Sequence, residues 1–221
     1  KFEKGTYHFY PDKAYERFTR ISNHDDVMAK TALPLIGFKN LVIDGQGSTF
    51  IYHGRMIPFL IEGSENITIQ NVTVDWAMSF HSEGTIVAND EKNNTFDIHF
   101  SDEYPYEIRN EQLIFLKEYY EHDLGQSILY DLERKAIAFN TEAYTSITTI
   151  RNSKVQHNFD KIEYKYKVDP RSKVEKVRGK ENNLRVEELK PGTLRIYNHK
   201  KKLPPVGMIM VCKGDQSLNR L

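Results

Sequence analysis

A single cysteine, a single tryptophan and no surplus of either charge set the first limits on this 221-residue chain. Cys212 has no partner for an internal disulfide, and within the apolar run VGMIMVC it reads as a small packed hydrophobe rather than a nucleophile. Lys and Arg number 31 and Asp and Glu 31, so no global field draws the chain to nucleic acid. No apolar run reaches the ~18 residues of a membrane-spanning helix, and the opening KFEKGTYHFY holds no hydrophobic signal core. The glycines of DGQGS (44 to 48) stand at a strand corner rather than before a helix, which excludes a phosphate loop. NHDD (23 to 26) and EHD (121 to 123) lack both a His-x-x-x-His spacing and a four-ligand set. No metal and no cofactor are expected. The lysine-rich KIEYKYKVDPRSKVEKVRGK (161 to 180) is balanced by nearby glutamates and reads as solvated strand faces.

What the chain does have is a repeat. FKNLVIDGQG (38 to 47) aligns with SENITIQNVT (64 to 73), setting Asn40 on Asn66, Leu41 on Ile67 and Ile43 on Ile69, 26 residues apart. The preceding LPLI (33 to 36) and FLIE (59 to 62) align as well. A period of that size suggests a solenoid, whose units bury their apolar faces only by stacking on one another. Within a unit the rhythm has period two: Ile67 and Ile69 face one side, Thr68 and Gln70 the other. Val72 and Val74 are expected inward after a corner at Asn71, with Thr73 and Asp75 outward. Asn40 and Asn66 are expected to take left-handed corners and stack their amides between rungs. The sequons at Asn66 and Asn71 therefore read as rung chemistry.

From about Gly84 the rhythm becomes that of antiparallel hairpins: GTIVA and TFDIHF around NDEKNN, then SILYDLERKAIAFN, LKPGTLRIYN with its Pro-Gly turn, and the apolar VGMIMVC. The reading is all-β: parallel β-helix rungs over 1–81, an inserted antiparallel β-barrel-like domain over 82–213, and a return towards further rungs over 214–221. Such a short solenoid needs a cover at its end, so later rungs or a second copy are expected to supply it.

With the rungs, YHGRMIPFLIEGSENITIQNVTVDW and the insertion that follows, together with GTYHFYPDKA and ISNHDD, the sequence resembles glycoside hydrolase family 110, the bacterial α-1,3-galactosidases. The resemblance implies a right-handed β-helix interrupted by a β-barrel, and metal-independent removal of terminal α-linked galactose with inversion. It also implies a glycan substrate met in the periplasm or outside the cell. That family's essential aspartates lie on rungs after the barrel, partly in an Asp-Asp-Ala-Thr segment. The only Asp-Asp here, Asp25-Asp26, precedes the first rung, so the catalytic acids are expected outside this chain.

Inversion needs two carboxyl groups about 6.5–9.5 Å apart, and rungs stack at about 4.8 Å. The residue 26 before Asp75 is Thr49, so Asp75 has no acidic partner below it. Asp75 is either a solvated rung end or an acceptor for a sugar hydroxyl. Trp76 is either core, by its parity with Val74, or a sugar-stacking indole. His81 and Glu83 in FHSEG stand where rungs give way to hairpins, either as surface groups or as ligand contacts. Arg55 either clamps a substrate oxygen or pairs with a carboxylate on the next rung. The substrate-binding candidates are thus Asp75, Trp76, His81 and Arg55. The alternative to an enzyme is a β-helix module that binds carbohydrate without cleaving it. A polysaccharide lyase would need an acidic Ca²⁺ site that the sequence does not offer.

Overall fold

The computed structural model describes residues 2–19, 27–124, 127–141, 144, 163–167, 175–179, 184–197, 199 and 202–212, without the side chains of Val27 and of 163–167 and 175–179. The Asp25-Asp26 and NHDD candidates and the expected return at 214–221 lie outside the described residues. The chain divides into two compact units, Lys1–Phe80 with Lys117–Glu121, and His81–Leu116 with His122–Asp215. No helix among the described residues is long and apolar enough to cross a membrane.

The first unit is built from β1 (Thr6–Phe9), β2 (Tyr15–Thr19), β3 (Val27–Ile36), β4 (Lys39–Tyr52), β5 (Ile57–Glu62) and β6 (Glu65–Trp76). β1, β4 and β6 form one parallel sheet, and β3 pairs parallel with β5 while β2 covers its other edge antiparallel. Parallel neighbours need a connection of many residues, and here each connection is the next strand of the repeat. Leu41 pairs with Ile67 and Ile43 with Ile69, the 26-residue spacing of the sequence, and Leu33 with Phe59 repeats it on the second sheet.

The corners are held by amides. Asn40 and Asn66 both have φ of 56°, and Asn66 Nδ2 donates to Asn40 Oδ1 at 2.7 Å. At the next corner the carboxylate of Asp44 accepts from the backbone N–H of Gln46 at 3.0 Å and from Asn71 Nδ2 at 3.0 Å. These bonds, the Gln46 N–H first, hold the Asp44 carboxyl down at about 2. Replacing Asn66 separates backbone from side chain. Asn66→Gly loses the amide bond alone, whereas Asn66→Ala also strains a left-handed corner, so Ala is expected to destabilise by about 1–2 kcal/mol more than Gly. Urea unfolding followed by Trp76 fluorescence measures the order, and equal losses would refute the left-handed requirement.

One register differs from the sequence reading. β4 carries Gly45, Gln46 and Gly47 where β6 has only Asn71, so pairing slips from Asp44 opposite Gln70 to Ser48 opposite Val72. The slip is tight: a Cβ on Gly45 would lie 2.6 Å from the Asn71 carbonyl oxygen. Asp75 therefore sits over Ile51 rather than Thr49, and Trp76 over Tyr52. Val72 is half-buried inside as expected, while Val74 keeps 36% exposure. The unit's core is aromatic: Phe50 and Tyr52, both 0% exposed, with Met56, Phe2, Tyr7 and Phe9.

The second unit is antiparallel. Its main sheet runs β13 (Ala136–Ile137), β12 (Ser127–Asp131), β18 (Ile209–Cys212), β7 (Ser82–Asp90), β8 (Thr95–Phe100), β17 (Thr193–Ile196), β16 (Val186–Lys190). A second sheet holds β9 (Tyr106–Arg109), β10 (Gln112–Lys117) and β11 (Tyr120–Asp123), and β14 (Glu163–Lys167) pairs with β15 (Glu175–Gly179). The turns are those their residues favour: Asp90 caps the N–H groups of Lys92 and Asn93, and Gly192 turns at φ 75° after Pro191. Ile86, Phe96, Ile98, Phe100, Phe115 and Leu194 fill the core, with Cys212 buried among them.

Candidate functional site

The most concentrated polar chemistry of the first unit lies past the ends of β1 and β4. Along those strands Phe9 pairs with Tyr52 and Tyr52 with Trp76, so three aromatic side chains stack, with ring centroids 4.9 Å and 5.6 Å apart. One residue further on, Tyr10 lies on His53 at 4.2 Å with their planes 15° apart. His53 is buried and binds on both sides: Nδ1 is 2.9 Å from Glu118 Oε1, and Nε2 is 2.9 Å from His8 Nδ1. The Gly54 N–H donates to Glu118 Oε2 at 3.3 Å, possible because Gly54 turns at φ 63°. A Cβ there would come within 2.8 Å of the Tyr119 ring.

The hydrogens of this chain follow from chemistry. A carboxylate only accepts, so His53 Nδ1 carries the hydrogen, and in the neutral ring its Nε2 is the acceptor. His8 Nδ1 then donates to it, leaving the lone pair of His8 Nε2 free. Beside the relay, the Arg55 guanidinium lies 3.7 Å over the Tyr120 ring. Burial lowers the pKa of Arg55, with Tyr120 opposing, and burial raises that of Tyr120, with Arg55 opposing. Tyr52, sealed in the stack, is pushed up to about 12 by burial.

The residues singled out by sequence are distributed differently. Arg55 is at the relay, but its partner is the Tyr120 ring and not a carboxylate of the next rung. Asp75 is exposed, and its Oδ1 accepts the backbone N–H of Trp76 at 2.8 Å, the local bond of a rung end. Trp76 is half-buried against Tyr52 and Phe80, and its Nε1 is buried without a partner among the described residues. His81 and Glu83 belong to the second unit, half-buried, Glu83 on β7. In EHD, His122 is buried, 3.3 Å from Ser82 Oγ and 2.7 Å from the Asp123 carbonyl oxygen, so its ring serves the interior of the second unit. His8, His53 and Glu118 escaped the sequence reading because 45 and 65 residues separate their partners. The available signal was a histidine beside aromatics in both HFY (8 to 10) and YHG (52 to 54).

Residues 82–210, more than half of the chain, match the model of the GLAA-B beta-barrel domain I. The chain belongs to that family, glycoside hydrolase family 110. Relatives bear it out. Over 139 residues it is 40% identical to an alpha-1,3-galactosidase A of Shewanella woodyi, the match covering 62% of this chain and 23% of the relative. Over equally long stretches it is 34% identical to an alpha-1,3-galactosidase B of Akkermansia muciniphila and 37% to one of Parabacteroides distasonis, covering 62% of this chain and 17% and 23% of those proteins. The matched stretch thus spans between about a sixth and a quarter of the length of these relatives. The family 110 chain is all-β, with its galactosidase-type barrel in the second unit.

Proposed function

We propose that this chain is the N-terminal part of an inverting exo-α-1,3-galactosidase that hydrolyses terminal α-linked galactose from glycans in the periplasm or outside the cell. The match of 82–210 to the galactosidase barrel domain carries the reading. Its first unit is then the start of a right-handed parallel β-helix, a description supported by the parallel pairing at 26 residues and by the Asn40–Asn66 ladder. Later rungs cover the open side of β6 and bring the two catalytic carboxyl groups. The carboxylates of the first unit support this division: Asp75 stacks on Ile51 rather than on an acid of the neighbouring rung, and Glu118 is bound to His53. Asp75, Trp76 and Arg55 in the first unit, and His81 in the second, each remain a candidate contact to a sugar.

The test is product analysis on a Galα1-3Gal disaccharide. The full-length protein is expected to release galactose first as the β anomer, seen by proton NMR before mutarotation, and residues 1–221 alone are expected to release none. Release of the α anomer would overturn inversion. Turnover by residues 1–221 would put the acids within this chain, and no release by the full-length protein would favour a non-catalytic carbohydrate-binding module.

A further inference from the structure

The relay from Glu118 through His53 to His8 ends at an exposed residue. His53 is buried and fully engaged, whereas His8 is exposed and its Nε2 has no partner among the described residues. The Gly54 N–H holds the Glu118 carboxylate, which orients the inner ring, and that ring orients the outer one, in the way an outer shell fixes the tautomer of a working histidine. The relay presents an acceptor.

Beside that acceptor stands a held aromatic ring. Tyr10 is 43% exposed, one of its faces is packed on His53, and the His8 ring lies nearly parallel to it at 6.3 Å. Its backbone is extended and followed by Pro11, and its carbonyl oxygen accepts the Lys13 N–H at 3.2 Å, so main chain and ring are both fixed. An exposed ring and a hydroxyl acceptor, held in advance, match the apolar C–H face and the hydroxyl rim of a pyranose at little ordering cost. An imidazole lone pair accepts from a neutral hydroxyl and not from an anion, and no group of three metal-ligating side chains lies among the described residues to make it a cation site.

We propose that His8 and Tyr10 form a subsite for a neutral pyranose, with the sugar on the Tyr10 ring and one hydroxyl donating to His8 Nε2. The choice of a galactose-type sugar rests on the galactosidase reading; the geometry of the subsite does not. His8 is here a binding group, and Glu118 and His53 are positioning residues.

The experiment is a titration of the ¹⁵N-histidine-labelled full-length protein with D-galactose, read in long-range proton–nitrogen spectra. In the free protein both His8 and His53 are expected as Nδ1–H tautomers, and galactose is expected to shift His8 Nε2 saturably. Tyr10→Leu, which keeps apolar bulk, is expected to weaken the Kd read at His8 by about tenfold, the upper range of one stacked ring, while Tyr10→Phe stays within about twofold. An Nε2–H tautomer at His8, a His8 signal unmoved by galactose, or an unchanged Kd in Tyr10→Leu would each overturn the subsite. Galactose release from the disaccharide separates the two readings: turnover with a silent His8 removes the subsite and leaves the enzyme, and a saturating His8 without turnover does the reverse.

Discussion

Phe50→Ala is expected to destabilise the first unit by about 3–5 kcal/mol, the cost of removing a fully enclosed phenyl ring. Phe50 is 0% exposed, and three rings pack on it at centroid distances of 4.8 Å for Phe2, 5.1 Å for Phe9 and 5.8 Å for Tyr7. All three belong to the segment before Tyr10, so the ring fastens the N-terminal strand to β4. Backbone bonds accompany it: the Phe2 N–H donates to Asp44 O at 3.1 Å and the Thr49 N–H to Gly5 O at 3.0 Å. A cavity there cannot be refilled by sliding β1, because the register of Thr6 on Thr49 through Phe9 on Tyr52 holds the strand in place. Phe50→Leu preserves most of the volume and is expected to cost less than about 1.5 kcal/mol. The lone tryptophan makes the measurement selective, since Trp76 packs on Tyr52 within the same unit. In urea its transition midpoint should fall with little change of slope. Phe18→Ala, at a residue 62% exposed on β2 of the same unit, is the matched control and should leave the midpoint in place. A Phe50→Ala midpoint equal to the control's would refute the core assignment.

The part of this architecture that could be read from sequence is the part that repeats. A rung stacked on a rung puts like residues on like, so Leu41 over Ile67, and Asn40 over Asn66 with its amide bond, follow from a 26-residue offset. Hairpins were readable for a related reason: the turn residues of NDEKNN and of Lys190-Pro191-Gly192 act locally, and the strands meet directly across them. The register slip at Asp44 to Ser48 was not counted, although DGQGS marks it, because an extra pair of residues at a corner leaves the apolar alternation on either side intact. Long-range order was out of reach. β18 inserts between β12 and β7 from the far end of the second unit, and no local pattern encodes which edge it takes. The His8–His53–Glu118 relay joins three segments by side chains alone, and sequence carries no spacing rule for such a set. Of the two readings open for Arg55, pairing with a carboxylate of the next rung gives way to the Tyr120 ring: a guanidinium next to a turn predicts a partner without saying which kind.

In the second unit, Arg195→Ala is expected to cost about 3 kcal/mol and Asp97→Ala distinctly less, although both substitutions delete the same pair of hydrogen bonds. Arg195 and Asp97 face each other across β17 and β8, and the guanidinium donates twice, Nε to Oδ1 at 2.7 Å and an Nη to Oδ2 at 2.8 Å. The surroundings of the partners are unequal: the side chain of Asp97 is 10% exposed and that of Arg195 38%. Removing the arginine strands a carboxylate away from water, which is the expensive way to break such a pair. Removing the aspartate frees a guanidinium that already reaches solvent, and its loss is nearer the ~1–2 kcal/mol of an ordinary charge-assisted hydrogen bond. The double variant should therefore resemble Asp97→Ala rather than the sum of the two, with a large coupling energy in the cycle. Calorimetry of the four proteins gives the stabilities, and hydrogen exchange of the β8 and β17 amides locates the loss in this sheet. If Asp97→Ala proved the more damaging, the carboxylate would be solvated and the pair would be a surface contact after all, worth about 1 kcal/mol or less.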